Sequence, residues 1–135
     1  MEKRTMGAPL RVAAAILTEG DKILIARRPG NDRLAGCWEF PGGKIETGET
    51  PPTCLRREMK EEFGIDVAVG DFFGASHCRS GPEEIVLLAY RCTWRGGHLV
   101  INAHSACCWV SVPELALFGF APADVPFVDW LLAGE

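Results

Sequence analysis

Apolar and polar positions alternate between two periods along this 135-residue chain. Arg11 to Thr18 is rich in Val, Ala and Ile; Glu19-Gly20-Asp21-Lys22 interrupts it, and Ile23-Leu24-Ile25-Ala26 resumes it. Two apolar runs about a Gly-containing turn predict a strand hairpin. Pro29 to Gly36 is polar and reads as a loop, and Trp38 to Phe40 is a short strand stopped by Pro41-Gly42-Gly43. From Pro51 to Phe63 the period lengthens to that of a helix, with Thr50 placed to cap its start, Pro51 at its first position and Gly64 to end it. Ile65 to Phe73, Glu84 to Thr93 and Ala106 to Val110 read as strands.

Ser111-Val112-Pro113-Glu114 has the spacing of a capping box opening a short helix. Val125, Val128, Leu131 and Leu132 make the apolar stripe of a last helix, Asp124 to Leu132, closed by Gly134. There are no repeats and no linkers, so residues 1–135 read as one domain. Its mixture of strands and helices is α+β, a mixed sheet with helices packed on it.

Composition narrows the chemistry. With 47% hydrophobic and 24% charged residues the chain can fill a core unaided. A net charge of −4 lacks the basic footprint of a duplex nucleic-acid binder. Apolar runs such as Ile85 to Tyr90 are too short to span a membrane. Six cysteines include no C-x-x-C pair, and Met1 to Pro9 has no apolar stretch for secretion. The expectation is a cytoplasmic protein with reduced thiols, a monomer or homodimer acting on a small molecule.

The chemistry concentrates on the predicted central helix. At about 100° per residue Glu58 and Glu62 stand one turn apart with Glu61 beside them, while Leu55, Met59 and Phe63 form the neighbouring apolar stripe. Three crowded carboxylates repel unless a cation joins them, and hard oxygen ligands suit Mg²⁺ or Mn²⁺. Gly42 and Gly43, with no side chain, let a backbone carbonyl approach the same ion. Arg57 is placed to pair with Glu61 or, across the loop, with Glu49. Taken alone, Glu61 and Glu62 read equally as a solvated face paired with Arg57 and Lys60.

The full spacing decides between these. Gly43, Glu49, Arg57, Glu58, Glu61, Glu62 and Gly64, with Met59 and Ile65 apolar, meet every position of G-x5-E-x7-R-E-U-x-E-E-x-G-U, where U is apolar. Seven specified positions coincide by chance roughly once in ten million placements or less. The pattern resembles the box of the Nudix hydrolases. That resemblance implies an α/β/α sandwich with a mixed sheet and a loop–helix–loop that binds divalent metal. It implies Glu58, Glu61 and Glu62 as metal ligands with a carbonyl of Gly42 or Gly43. Glu58 would orient or deprotonate the attacking water, and Glu49 would support Arg57.

The likeness runs from about Val12 to Leu132 and is nearest the MutT-like nucleoside triphosphate branch, through Ala26-Arg27-Arg28-Pro29, Trp38 to Gly43 and Ala121 to Pro126. It implies hydrolysis of CTP, dCTP derivatives or oxidised dGTP to the monophosphate and pyrophosphate, as nucleotide-pool sanitation. Asp124 would then read the edge of the base, an ionised carboxylate accepting from an exocyclic amine or a ring N–H. Otherwise it caps the last helix. Arg28 would approach the nucleotide, or be an exposed cation; Phe40 would stack on the base, or fill core.

One departure stands out. A Glu that the branch commonly places six residues before the late Trp, here Trp109, is Ala103. Glu83 and Glu84 are candidates to reach in from elsewhere, and His104 reads as an exposed loop residue. The alternatives are another diphosphate such as ADP-ribose, which Pro82 keeps open, and a non-catalytic nucleotide-binding module.

Overall fold

A computed structural model describes residues 8–134; the first seven residues and Glu135, which the sequence assigns to the same domain, lie outside the described residues. Seven strands and two α-helices follow one another: β1 (Leu10–Glu19), β2 (Lys22–Arg27), β3 (Trp38–Glu39), β4 (Gly42–Lys44), α1 (Pro51–Phe63), β5 (Ile65–Ser80), β6 (Glu83–Gly97), β7 (Ala106–Ser111) and α2 (Val125–Leu132). A 3₁₀ turn, Pro113–Leu117, precedes α2. The strands form one sheet in the order β3-β2-β1-β6-β5, with β4 on β1 and β7 on β2. β1 and β6 run parallel and the other pairs antiparallel, so the sheet is mixed.

Period-two alternation sorts the central strands onto two faces. Ala13, Ala15 and Leu17 of β1, with Leu24 and Ala26 of β2, meet Cys54, Leu55, Met59 and Phe63 of α1. Ala14, Ile16, Ile23 and Ile25 point the other way, to Leu115 of the 3₁₀ turn and Phe127, Val128 and Leu131 of α2. The sheet is therefore sandwiched between helices, the expected α/β/α arrangement. Full burial of a Leu, Met or Phe contributes about 1.5–3 kcal/mol. Three such side chains on α1 fix which edge of that helix is left facing outward.

The ends of α1 form as the sequence predicts. Thr50 Oγ1 accepts from the Thr53 N–H at 3.2 Å. Gly64 turns left-handed at φ +71°, its N–H donating to the Lys60 carbonyl at 3.0 Å.

Four expectations change. Gly42–Lys44, read as the stop after β3, pairs with β1 as β4, and β6 runs on to Gly97 rather than ending at Thr93. β5 does not stop at Phe73 but continues to Ser80, because its backbone stays paired with β6 through His77↔Val86 and Arg79↔Glu84. Register shifts between Val69 and Phe72 and between Phe72 and Gly74 hide this from the side-chain pattern. Gly74 is also a packing requirement, since a Cβ there would lie 2.8 Å from the Trp130 ring of α2. Half of the expected capping box forms: the Ser111 N–H donates to Glu114 Oε1 at 2.7 Å, but the helix it opens is the 3₁₀ turn, with no side-chain cap at its start.

Candidate active site

The carboxylate edge of α1 is organised by one arginine. Arg57 Nε and Nη2 donate to Glu49 Oε2 and Oε1 at 2.7 and 2.9 Å, a bidentate pair. Its Nη2 also reaches the Lys44 carbonyl at 3.2 Å, and Nη1 reaches Glu58 Oε2 at 2.9 Å and Glu61 Oε1 at 3.4 Å. The loop before the helix is thereby tied to its first turns. Arg57 and the Glu46 N–H together hold the Glu49 carboxyl down at about 2. Glu49 thus stays charged, and Arg57 stays aimed.

Glycines make room for this edge. A Cβ on Gly42 would collide with the Ala13 carbonyl, so β4 can lie on β1 only with glycine there. A Cβ on Gly43 would run into the Glu58 carboxylate, 2.5 and 2.6 Å from its oxygens. Glu58 therefore rests directly on the Gly43 backbone. Glu62, one turn on, has one oxygen, Oε1, buried without a partner. Burial first, then the adjacent Glu58 carboxyl and the nearby charges of Glu39 and Glu61, push the Glu62 carboxyl well above the usual range. Glu61 is the outermost of the three, its side chain 60% exposed.

From Glu62 a cleft of about 700 Å³ runs past Gly43, Gly42 and Phe40 to Arg28 and Asp124. Asp124 is 4% exposed, and its Oδ1 accepts the Phe40 N–H at 3.0 Å. It stands at the head of α2 but makes no side-chain cap, so the capping alternative is set aside. Burial raises its carboxyl well above the ordinary Asp value. Ionised, Asp124 only accepts, as expected; in the protonated form that burial favours it also donates. The Phe40 ring belongs to the core, 3% exposed against Phe120 and Phe127, which favours its core alternative over base stacking. Arg28 lines the cleft and is paired, Nη1 with Glu39 Oε1 at 3.2 Å and Nη2 with Asp32 Oδ2 at 3.3 Å.

A family model described as "NUDIX domain" matches residues 8–131. The chain belongs to the NUDIX family. It is 39% identical over 125 residues to an Escherichia coli protein named CTP pyrophosphohydrolase, covering 92% of each chain. It is 48% identical over 59 residues, 43% of this chain and 53% of the relative, to a Proteus vulgaris 8-oxo-dGTP diphosphatase. The solution structure of the E. coli ORF135 protein superposes with a TM-score of 0.83 at 36% identity, over 92% of this chain and 89% of that one.

NUDIX hydrolases generally need divalent metal ions, and this domain has the donors for one. Gly43 forms a cradle that a Cβ would fill, the Glu58 carboxyl lies against it, and Glu62, one turn on, keeps an orphaned buried oxygen. Two acidic groups so crowded retain a proton unless a cation takes its place. Among the described residues no three His, Cys, Asp or Glu side chains are already grouped about an ion, since Glu58 and Glu61 are turned to Arg57.

Sequence reading missed Glu39 and misplaced His104. Glu39 lies between Trp38 and Phe40 on a two-residue strand, so alternation turns it from their core cluster toward the cleft. That alternation was the available signal. His104 is not an exposed loop residue: its side chain is 5% exposed, stacked on Phe63 with ring centroids 5.3 Å apart. The cause is the C-terminal end of α1, whose last carbonyls lack helical partners. The Val100 and Asn102 N–H groups bond the Phe63 and Glu62 carbonyls at 2.9 and 3.0 Å, and Asn102 Nδ2 bonds that of Glu61 at 3.0 Å. The segment docks there, and His104 follows it inward. Ala103 borders the cleft without a functional group, while Glu83 and Glu84 start β6 at the far hairpin turn and do not line the cleft. Pro82 lies in that same turn. All six cysteines are free, and among the described residues no helix is long and apolar enough to cross a membrane.

Proposed function

We propose that this chain hydrolyses a nucleoside triphosphate to the monophosphate and pyrophosphate, with Mg²⁺ as the first candidate metal and Mn²⁺ the second. The observation that carries the reading is Glu58 packed on the Gly43 backbone beside the buried, partnerless Oε1 of Glu62, which lines the same cleft as Asp124. Glu58, Glu62 and the Gly43 carbonyl would hold the metal, with Glu61 joining when its contact to Arg57 is released and Gly42 keeping β4 in place. When bound, the metal neutralises phosphate charge and lowers the pKa of a water molecule.

The water oxygen bonds to the β-phosphorus as the bond from that phosphorus to the α–β bridging oxygen breaks. Glu58 takes the water proton, and the nucleoside monophosphate leaves with the bridging oxygen. Glu49 keeps Arg57 fixed, and Arg57 in turn orients Glu58. At the other end Asp124, held by the Phe40 N–H, faces the base; Arg28 borders the path between.

A buried carboxyl that both donates and accepts suits cytosine, with its amine and ring nitrogen, and equally an oxidised guanine. The relatives named CTP pyrophosphohydrolase and 8-oxo-dGTP diphosphatase support this pair. The test is pyrophosphate release from CTP, 5-methyl-dCTP and 8-oxo-dGTP at equal Mg²⁺, with Glu58→Gln alongside. Removing a general base lowers turnover by about 10²–10⁴. A fully active Glu58→Gln enzyme removes that residue from the chemistry; nucleotide binding with no turnover on any substrate makes the chain a binding module.

A further inference from the structure

His104 has one ring nitrogen committed and one bare. Nε2 stands 2.7 Å from Glu39 Oε2. A carboxylate only accepts, so Nε2 is the donor, and a neutral imidazole carries one N–H. Nδ1 is then a lone-pair atom. It is buried and no hydrogen bond satisfies it, and Glu62 Oε1, also buried and unsatisfied, stands 3.9 Å away.

Two buried, unpartnered atoms thus face each other across a 3.9 Å gap. Left bare, each carries the desolvation penalty of a buried polar atom without a partner. The ring cannot turn away to relieve this, because its face is stacked on Phe63 at an 18° interplanar angle and its far nitrogen is anchored to Glu39. Glu39 is held in turn by Arg28 at 3.2 Å. A carboxylate gripping the outer nitrogen of an imidazole, with the inner nitrogen bare and fixed, is the arrangement that aims a histidine at a metal ion.

We propose that His104 Nδ1 and Glu62 Oε1 are joint ligands of a divalent transition-metal ion. The proposal rests on the metal-dependent reading of the site and adds to it a nitrogen ligand. Oxygen ligands alone suit Mg²⁺; an imidazole nitrogen shifts the preference toward the first-row transition dications. Mn²⁺, which accepts both donor types and is paramagnetic, is the probe.

The experiment is pulsed electron paramagnetic resonance on the whole protein loaded with Mn²⁺, with titration of Mn²⁺ affinity in parallel. Wild-type protein is expected to show coupling to a directly bound ¹⁴N nucleus, replaced by the ¹⁵N pattern when histidine is ¹⁵N-labelled. His77 and His98 are exposed. His77→Gln and His98→Gln should keep the signal, and these two variants assign it to His104 even if His104→Ala fails to fold. If it folds, His104→Ala should lose the coupling, bind Mn²⁺ about tenfold or more weakly, and discriminate less between Mn²⁺ and Mg²⁺. Tight Mn²⁺ binding without nitrogen coupling overturns the proposal and leaves the hydrolase reading intact; a water then bridges the two atoms. No Mn²⁺ binding at all overturns both.

Discussion

Replacing Asp124 with Asn changes one atom of a buried carboxyl and should raise stability while impairing activity. The Phe40 N–H keeps its acceptor, because an Asn side-chain oxygen can occupy the place of Oδ1. Asp124 borders the cleft, so the new amide can reach water there. What changes is the titration. Burial raises the carboxyl of Asp124 in the native state well above its ordinary value of 3.8. Below the unfolded value both states are protonated and ionisation makes no difference between them. Between the unfolded and folded values the unfolded chain ionises first, so the native state loses about 1.4 kcal/mol per pH unit. Above the folded value the loss is constant at its maximum.

Asn never ionises, so the stability of Asp124→Asn relative to wild type should climb from about pH 4 upward and then level off. Urea denaturation of both proteins across about pH 4 to 8 measures this directly, and each kcal/mol corresponds to about 4 °C in Tm. Asp124→Ala separates the second contribution. It leaves the Phe40 N–H without a partner, a loss of about 1–3 kcal/mol that should dominate at the acid end. In the same preparations kcat/KM of Asp124→Asn on the best nucleotide should fall. A stability difference flat in pH, or shrinking as pH rises, refutes the account of Asp124 as a buried, proton-retaining carboxyl.

Three other outcomes follow from the same contacts. Gly43→Ala should abolish most activity and metal binding with under about 2 kcal/mol lost in stability, since the new methyl displaces the flexible end of Glu58 rather than backbone; unchanged turnover would show that Glu58 need not rest there. The Glu49 carboxyl, depressed to about 2 by Arg57, should remain ionised on acidification until that value, so the Glu49–Arg57 pair is retained above pH 4 and lost only as pH falls through about 2. Carboxyl NMR of a labelled sample checks it, and an ordinary titration near 4.5 contradicts the bidentate geometry. Met59→Ala, fully buried between α1 and the sheet, should lose about 2–5 kcal/mol in chemical denaturation; a loss under 1 kcal/mol would mean that the apolar stripe does not seat the helix as described.

The helix that carries the box was legible because everything defining it is local. Thr50, Pro51, Gly64 and the Leu55-Met59-Phe63 stripe are backbone chemistry and periodicity within one short segment, and the carboxylates inherit their spacing from the turn of the helix. The length of β5 was not legible, because bulges broke its alternation and pairing with β6 continued regardless.

By itself, then, the sequence determined the α1 frame, the Glu58-Glu61-Glu62 edge, the Arg57–Glu49 clamp and the family, all consequences of short-range spacing. Tertiary structure alone decided that Asp124 is buried on the Phe40 N–H, 84 positions away, and that His104 meets Glu39, 65 positions away. Neither contact follows from residue type or period. Each arises where chain ends and loops dock on unsatisfied backbone groups, and which segment reaches those groups is settled only once the sheet has brought them together.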